Sequence, residues 1–238
     1  MSGHRRLVAA LVVCASLLAA GEPAAGKPAR RIDLFWVHPD SSRFALPSIA
    51  VLPAATYDNN LDAAKLTDVA WGQAVRGAGY RWISGITAKD QIKHAPDGDS
   101  LLKALNAALL KVPRVDSLSA PELCARLRVA ALLSLRVDNW SKIEMEWNQA
   151  GKPSTTVQIK AALVDSAGRL LWTAAGSETG EGPYQDPSTN TLGVRSSGLG
   201  TQPITGQGGA PAYPEVLAKL FARWAEHFPA KVKPPAAP

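Results

Sequence analysis

The sequence predicts a single α/β domain of two or three layers, with a mixed sheet and a docking helix at the carboxyl end. Strand, helix and strand patterns alternate before residue 140, which predicts a parallel first half. Apolar and polar residues alternate between 142 and 175, which predicts an antiparallel meander in the second half. The chain has 238 residues, 46% of them apolar, so it can bury a core, and we place the domain at residues 46–228.

The first half begins with a buried strand. Ser48–Pro53 is a short apolar run ended by proline, Leu61–Gly77 has helical spacing, and Tyr80–Ser84 alternates as a second strand. Because a helix connects the two strands, they are expected to pair in parallel.

Three further helices are predicted, and they lead into a central strand. They start at Thr87 as N-cap, at Asp99 or Ser100, and at Ser119, where Ser119 and Glu122 have the spacing of a capping box. The continuous apolar stretch within 129–140 then predicts a strand buried on both faces.

The second half is predicted as a meander with a hairpin at Gly168 and a final strand at 170–175. Residues 176–211 are rich in Gly, Ser, Thr and Pro and are predicted to form a loop. Residues 213–228 then form an amphipathic docking helix. Outside the domain, 22–45 is predicted as a flexible tether around the packed segment Leu34–Val37, and 229–238 as a disordered tail.

The amino terminus has the pattern of a secretory signal peptide over residues 1–21. Basic residues precede Leu7–Ala20, an uncharged apolar run of 14 residues, whereas about 20 are needed to span a bilayer. The expected location is therefore the periplasm, and association with the outer membrane is left open. Lipidation of Cys14 is also left open, because Val13 stands where lipoprotein processing prefers a small residue.

Charge and motifs exclude several functions. The formal net charge is +6, but an exported chain meets little nucleic acid, so we expect contact with anionic lipid, glycan or an acidic protein face instead. Cys124 is predicted to be a buried small hydrophobe. The sequence contains no nucleophile elbow, zinc-protease motif or P-loop, and its four histidines lack metal-site spacing. We therefore expect no catalytic residue, metal or cofactor.

Four segments together resemble a known group of envelope proteins. They are "IAVLP", "GYRWIS", "PELCARLRVAALLSLRVDNW" and "VDSAGRLLW", and they fall within Ser48–Ser177. The arrangement resembles the exported α/β modules of curli-secretion lipoproteins, penicillin-binding-protein activator lipoproteins and the amino-terminal domain of the Tol-system B protein. This resemblance implies a periplasmic, non-enzymatic accessory protein that binds another envelope protein in transport or envelope assembly.

The predicted contact surfaces are a sheet edge at 142–159, the loop at 176–211 and the exposed side of the last helix. The candidate interaction residues on them are Glu144, Glu146, Trp147, Tyr184 and Trp224. The rival hypothesis is a glycan-binding protein or cell-wall hydrolase that uses Glu144, Glu146 or Trp147. A homo-oligomer and a peripheral membrane contact are further alternatives.

Overall fold

The computed structural model describes residues 33–41, 44, 46–146, 149–185 and 209–229, and these form a mixed α/β fold. The strands are β1 (Leu34–Val37), β2 (Ser48–Val51), β3 (Ala55–Thr56), β4 (Arg81–Ile83), β5 (Ala131–Ile143), β6 (Ser154–Asp165) and β7 (Leu170–Glu181). The helices are α1 (Leu61–Ala74), α2 (Gly85–Lys93), α3 (Gly98–Lys111), α4 (Ser119–Leu127) and α5 (Tyr213–Glu226). The predicted fold class is confirmed.

The strands form one sheet in the order β1-β7-β6-β5-β2-β4, and β3 pairs with β5 beyond the end of β2. β2 is parallel to β4 and β5, whereas β5, β6, β7 and β1 are antiparallel to their neighbours. The predicted change from a parallel first half to an antiparallel second half is thus confirmed. It follows the change in connections, since helices join the parallel strands, whereas ten residues join β5 to β6 and four join β6 to β7.

The helices lie on both faces of the sheet. α1 and α5 pack together on one face, which we call the α5 face, and α2, α3 and α4 lie on the opposite α3 face. On the α3 face, the helices contact β2, β3 and β5, which belong to the parallel half or border it. The antiparallel half is therefore covered by a helix mainly on its α5 face.

The docking helix α5 buries its predicted apolar stripe. Val216, Leu217, Leu220, Phe221 and Trp224 are all buried. They pack against an aromatic cluster in which the ring of Trp71 from α1 lies 5.3 Å from that of Phe221 and 5.8 Å from that of Trp172. This aromatic layer joins α1, α5 and the sheet, in agreement with the predicted role of the last helix.

Two predicted helix starts need correction. Helix α2 begins at Gly85 with Ser84 as its N-cap, and the hydroxyl of Ser84 accepts a hydrogen bond from the backbone N–H of Thr87. The predicted capping box of α4 is wrong. The carboxylate of Asp116 accepts hydrogen bonds from the backbone N–H groups of Leu118 and Ser119, each at 2.9 Å. Asp116 thus fills the role that the spacing assigned to Ser119 and Glu122.

The flanking segments also differ from their predictions. Within the tether predicted at 22–45, Leu34–Val37 forms β1, because this apolar run pairs with the free edge of β7. β7 continues to Glu181, so the predicted loop at 176–211 starts later than expected. The signal peptide, Cys14, the core of that loop at 186–208 and the tail from 230 lie outside the described residues.

The predicted sheet edge at 142–159 is wrong over most of its length. β6 pairs with β5 on one side and with β7 on the other, so residues 154–159 lie inside the sheet. The described pairs of β5 with β2 and β3 end at Val137, so Lys142 and Ile143 pair with β6 alone and lie at an edge. Among the described strands, the two outermost are β1 and β4. The alternation in this segment reflects the two faces of an interior strand, which sequence periodicity cannot distinguish from an edge strand.

A buried carboxylate links α1 to the start of α2. One oxygen of Asp68 accepts the backbone N–H of Gly85 at 2.7 Å, and the other accepts that of Ile86 at 3.4 Å. Burial raises the pKa of Asp68, although both hydrogen bonds oppose the shift. A carboxyl with a raised pKa in the folded state reduces stability as the pH rises above its unfolded value, about 4.

We therefore expect Asp68→Asn, which keeps an acceptor oxygen and removes the charge, to be at least as stable as the parent chain at pH 7. Its stability should also vary less with pH above about 4. Asp68→Ala leaves two backbone N–H groups without this acceptor and is expected to cost about 1–2 kcal/mol. Urea unfolding of both variants between pH 4 and 8 measures this, and equal destabilisation by the two would contradict it.

Candidate functional site

Glu144, one of the predicted interaction residues, is already engaged within the fold. Its carboxylate pairs with Lys142 at 2.6 Å and accepts the backbone N–H of Ala210 at 2.9 Å. Lys142 and this backbone bond hold the pKa of Glu144 below its usual range. A general acid needs the opposite shift. Glu144 therefore anchors the residues that lead into α5.

The other predicted residues are divided between the surface and the core. Glu146 and Tyr184 are exposed, and the bridge between Gly151 and Gln185 brings their segments to the same end of the sheet. Trp147 lies outside the described residues.

Trp224 does not belong to a contact surface. Its side chain is fully buried, and its ring packs 5.5 Å from that of Phe221 and 6.3 Å from that of Trp172. It lies on the apolar stripe of α5 that faces the sheet. The prediction that Trp224 is an interaction residue is therefore wrong, because its large side chain fills the aromatic layer between α5 and the sheet.

A groove of about 300 Å³, which we call the β1 groove, lies on the α3 face of β6, β7 and β1. Its floor is formed by strand residues and its two walls by β1 and the segment after α3. The residues on this face are Leu34, Trp36, Val112, Pro113, Arg114, Lys160, Ala162, Thr173 and Ala175.

The β1 groove forms because most of the side chains on its floor are small. The strand register aligns Trp36 with Thr173 and Ala162, and it aligns Leu34 with Ala175 and Lys160. Alternate residues point to the same face of a strand, so each row continues across the three strands on the α3 face. Because the floor residues are small, the side chains of Leu34 and Trp36 project beyond them and form one wall of the groove.

The wall of the β1 groove is held by two polar residues of β5. The guanidinium of Arg136 donates to the carbonyl of Leu110 at 2.9 Å and pairs with Asp138 at 2.6 Å. The hydroxyl of Ser134 donates to the carbonyl of Pro113 at 3.0 Å. Both side chains are buried, so they fix the chain that leaves α3 against the sheet.

The rim of the β1 groove is apolar and accessible. Leu34 is 63% exposed, Val112 is 50% exposed and Trp36 is 42% exposed. The charged residues among the described lining are Arg114 and Lys160, which are both cationic. A cluster of exposed large apolar side chains with charged residues beside it is typical of a protein-binding surface.

Sequence reasoning missed Leu34 and Trp36 as surface residues. The available signal was the run Leu34–Val37, four apolar residues inside a polar and basic segment, which was interpreted only as a packed anchor of the tether. Three of the four, Leu34, Trp36 and Val37, are exposed, and this depends on which part of the sheet the helices cover. Only the three-dimensional arrangement shows that.

The cysteine of the described residues, Cys124, is buried against the sheet. Cys124 on α4 is 3% exposed, and burial together with the charge of Asp165 raises the pKa of its thiol to about 11. Since the thiolate is the reactive form, this thiol is expected to resist alkylation in the folded protein at pH 8.

Mass spectrometry of the Cys124 peptide after iodoacetamide treatment tests this expectation. Little modification is expected in buffer and complete modification in 8 M urea, with free glutathione as the reference thiol. Labelling in buffer at the rate of glutathione would contradict the buried position.

The described residues meet neither the requirements of a metal site nor those of a membrane-spanning helix. Within residues 33–229, excluding the undescribed gaps, no group of three or more His, Cys, Asp or Glu side chains is placed to hold a metal ion. None of the described helices has the length and apolarity to cross a bilayer.

The fold and the β1 groove define a three-layer α/β module with an exposed apolar edge. No protein-family model matches the chain, and no curated protein sequence matches it. Solved structures of similar fold exist at low identity. A PelC dodecamer from Paraburkholderia phytofirmans is 15% identical, with a TM-score of 0.40, over 81% of this chain and 95% of that one.

Two further structures are similar at the same level. Lipoprotein GNA1162 from Neisseria meningitidis is 24% identical, with a TM-score of 0.40, over 56% of this chain and 83% of that one. The hypothetical protein CT253 from Chlamydia trachomatis is 11% identical, with a TM-score of 0.38, over 75% of this chain and 95% of that one.

Proposed function

We propose that this protein is an exported, non-enzymatic adaptor of the cell envelope that binds another envelope protein through the β1 groove. The observation that carries the proposal is the exposure of Leu34, Trp36 and Val112 around an uncovered part of the sheet. The signal-peptide pattern of residues 1–21 supports export.

Burial of this rim would supply useful binding energy. An apolar side chain gains about 1.5–3 kcal/mol when it moves from full exposure to full burial, so the half-exposed Leu34 and Trp36 together offer about 2–3 kcal/mol. A tryptophan beside a pocket is also a common anchor in protein interfaces. The fixed wall at Val112–Arg114 limits the reorganisation that binding requires.

The rival function, a glycan-binding protein or cell-wall hydrolase that acts through Glu144 and Glu146, has less support. Glu144 is paired with Lys142 and with the backbone of Ala210, and its pKa is lowered. An adaptor is expected to show no turnover of cell-wall fragments, and the double variant Glu144→Gln/Glu146→Gln is expected to bind such fragments as weakly as the parent chain. Turnover that this variant abolishes would favour the hydrolase.

Photo-crosslinking in the producing cells tests the adaptor function. A benzophenone amino acid at position 36 is expected to form an adduct with one envelope protein, identified by mass spectrometry. The matched control is position 91, which is exposed on α2 away from β1. Absence of an adduct specific to position 36 contradicts the proposal. An adduct with a second copy of this chain would instead indicate a homo-oligomer, and an adduct with lipid would indicate a membrane contact.

A further inference from the structure

We propose that the partner supplies an extended segment that adds to the sheet as a strand along the free edge of β1, with an acidic residue within reach of Arg114. This inference rests on the proposed function and specifies the chemistry of the partner. Its first support is the orientation of the β1 backbone, its second is the scarcity of edge protection, and its third is the charge of the groove.

Among the described residues, nothing pairs with one side of the β1 backbone. β1 is antiparallel to β7, and the N–H of His38 donates to the carbonyl of Leu171 at 2.8 Å. In an antiparallel pair, alternate residues direct their N–H and C=O groups to the same neighbour. Trp36 therefore faces β7 like His38, whereas the N–H and C=O groups of Phe35 and Val37 face the free edge.

The described residues of β1 carry few of the devices that protect edge strands from pairing. These devices include proline, charged side chains, a β-bulge and a very short strand. The sequence of β1 is Leu-Phe-Trp-Val, and its pairing with β7 is regular over all four residues, so its short length is its one protection among these. The opposite edge differs, because β4 starts with Arg81, whose guanidinium donates to the carbonyl of Arg128 at 3.0 Å. The less protected of the two outermost strands is thus the one beside the β1 groove.

The side chains of β1 extend this edge into a binding surface. Leu34 and Trp36 stand on the α3 face, where an added strand would place apolar side chains directly beside them. Backbone pairing supplies affinity in such complexes, and alternate side chains supply specificity. A lipid surface could cover the same apolar residues but could not form a ladder with the N–H and C=O groups of Phe35 and Val37.

The charge of the groove selects among protein partners. Lys160 pairs with Asp138 at 3.1 Å, whereas Arg114 is exposed and makes no ion pair with a carboxylate of the described residues. A second copy of this chain would bring another Arg114 and Lys160 to the same surface. The full chain has a formal net charge of +6, and without residues 1–21, which hold two Arg and no acid, each copy is still +4 (6 − 2). Charge complementarity therefore favours an acidic segment of a different protein over self-association.

The test uses the crosslink from position 36 in the full chain in cells. Val37→Pro removes an N–H group that faces the free edge and takes no part in the ladder with β7, so the fold should be retained. We expect it to reduce the crosslink about tenfold. Val37→Thr keeps the N–H group and is expected to retain the crosslink. Arg114→Glu is expected to reduce it to a similar degree, and Arg114→Lys to preserve most of it.

The outcomes separate the two proposals. No specific crosslink in the parent chain contradicts the adaptor function itself. A crosslink that persists in Val37→Pro overturns strand addition but leaves the adaptor function standing. A crosslinked segment that lacks an acidic residue, or that belongs to a second copy, overturns the assigned partner chemistry.

A second measurement covers the case in which Val37→Pro fails to fold. The amide protons of Phe35 and Val37 are followed by hydrogen exchange in the unaltered protein, alone and with the crosslinked partner after purification. Strand addition is expected to slow their exchange at least tenfold on binding. Unchanged exchange at both amides in the complex would overturn it.

Discussion

Replacement of Arg223 by methionine is expected to destabilise the fold by about 3 kcal/mol. The guanidinium of Arg223 on α5 pairs with Asp33 at 2.7 Å and with Glu178 at 2.7 Å. The side chain of Glu178 is 1% exposed, so the variant leaves a buried carboxylate without this cation. Since Asp33 directly precedes β1, the same ion pair also fixes the start of the binding edge.

A matched arginine provides the control. Arg126 also pairs with two carboxylates, Asp97 and Glu122, but both of these are more than half exposed. Arg126→Met is therefore expected to cost much less than Arg223→Met, because solvent screens exposed ion pairs. The double variant Arg223→Met/Glu178→Gln should recover much of the loss. Urea unfolding measures all three, and equal costs for the two arginine variants would contradict the role assigned to burial.

Replacement of Trp71 by alanine is expected to cost about 3–5 kcal/mol, whereas Trp36→Ala should cost only about 1 kcal/mol because that side chain is partly exposed. Trp71 is fully buried, and its ring contacts those of Trp172, Phe221 and Phe228. Its removal leaves a large cavity in the layer that joins α1 to α5. Trp36 stands on the rim of the β1 groove, and 42% of its surface stays exposed in the folded protein.

The two variants should have opposite effects on stability and binding. Trp36→Ala is expected to abolish partner binding while the protein stays folded. Thermal unfolding measures its stability, and co-purification with the crosslinked partner measures its binding. Trp71→Ala should lower the midpoint of unfolding, and it should bind the partner wherever it remains folded. A large loss of stability in Trp36→Ala would show that this side chain serves the core.

Periodicity was sufficient to predict most of the fold. The change from 3.6-residue to 2-residue spacing marks the passage from helices to the β5–β6–β7 meander, and the apolar stripe of α5 identifies a docking helix. β1 was missed as a strand because its partner β7 lies more than 130 residues away in sequence. The cap of α4 was missed because Asp116 stands before the helix, while Ser119 and Glu122 match a better-known pattern.

The candidate site was less predictable than the fold. Aromatic and apolar residues occur both in cores and in interfaces, and the two uses differ only in whether other elements of the fold bury the side chain. Trp224 was expected on a surface and fills the core, whereas Trp36 was expected in a packed segment and is exposed. The difference arises because α5 covers one face of the antiparallel strands and the segment after α3 stops short of β1 on the other.

The most direct test of the β1 groove compares the accessibility of position 112 in cells and after purification, because Val112 lines the groove and Trp36 stays in place. In the variant Val112→Cys, a small maleimide is expected to label the purified protein fully and the protein in intact cells at least tenfold more slowly. Gln91→Cys, exposed on α2, should be labelled equally in both settings, and the buried Cys124 should stay unlabelled. Equal labelling of position 112 in cells and in the purified protein would contradict the account.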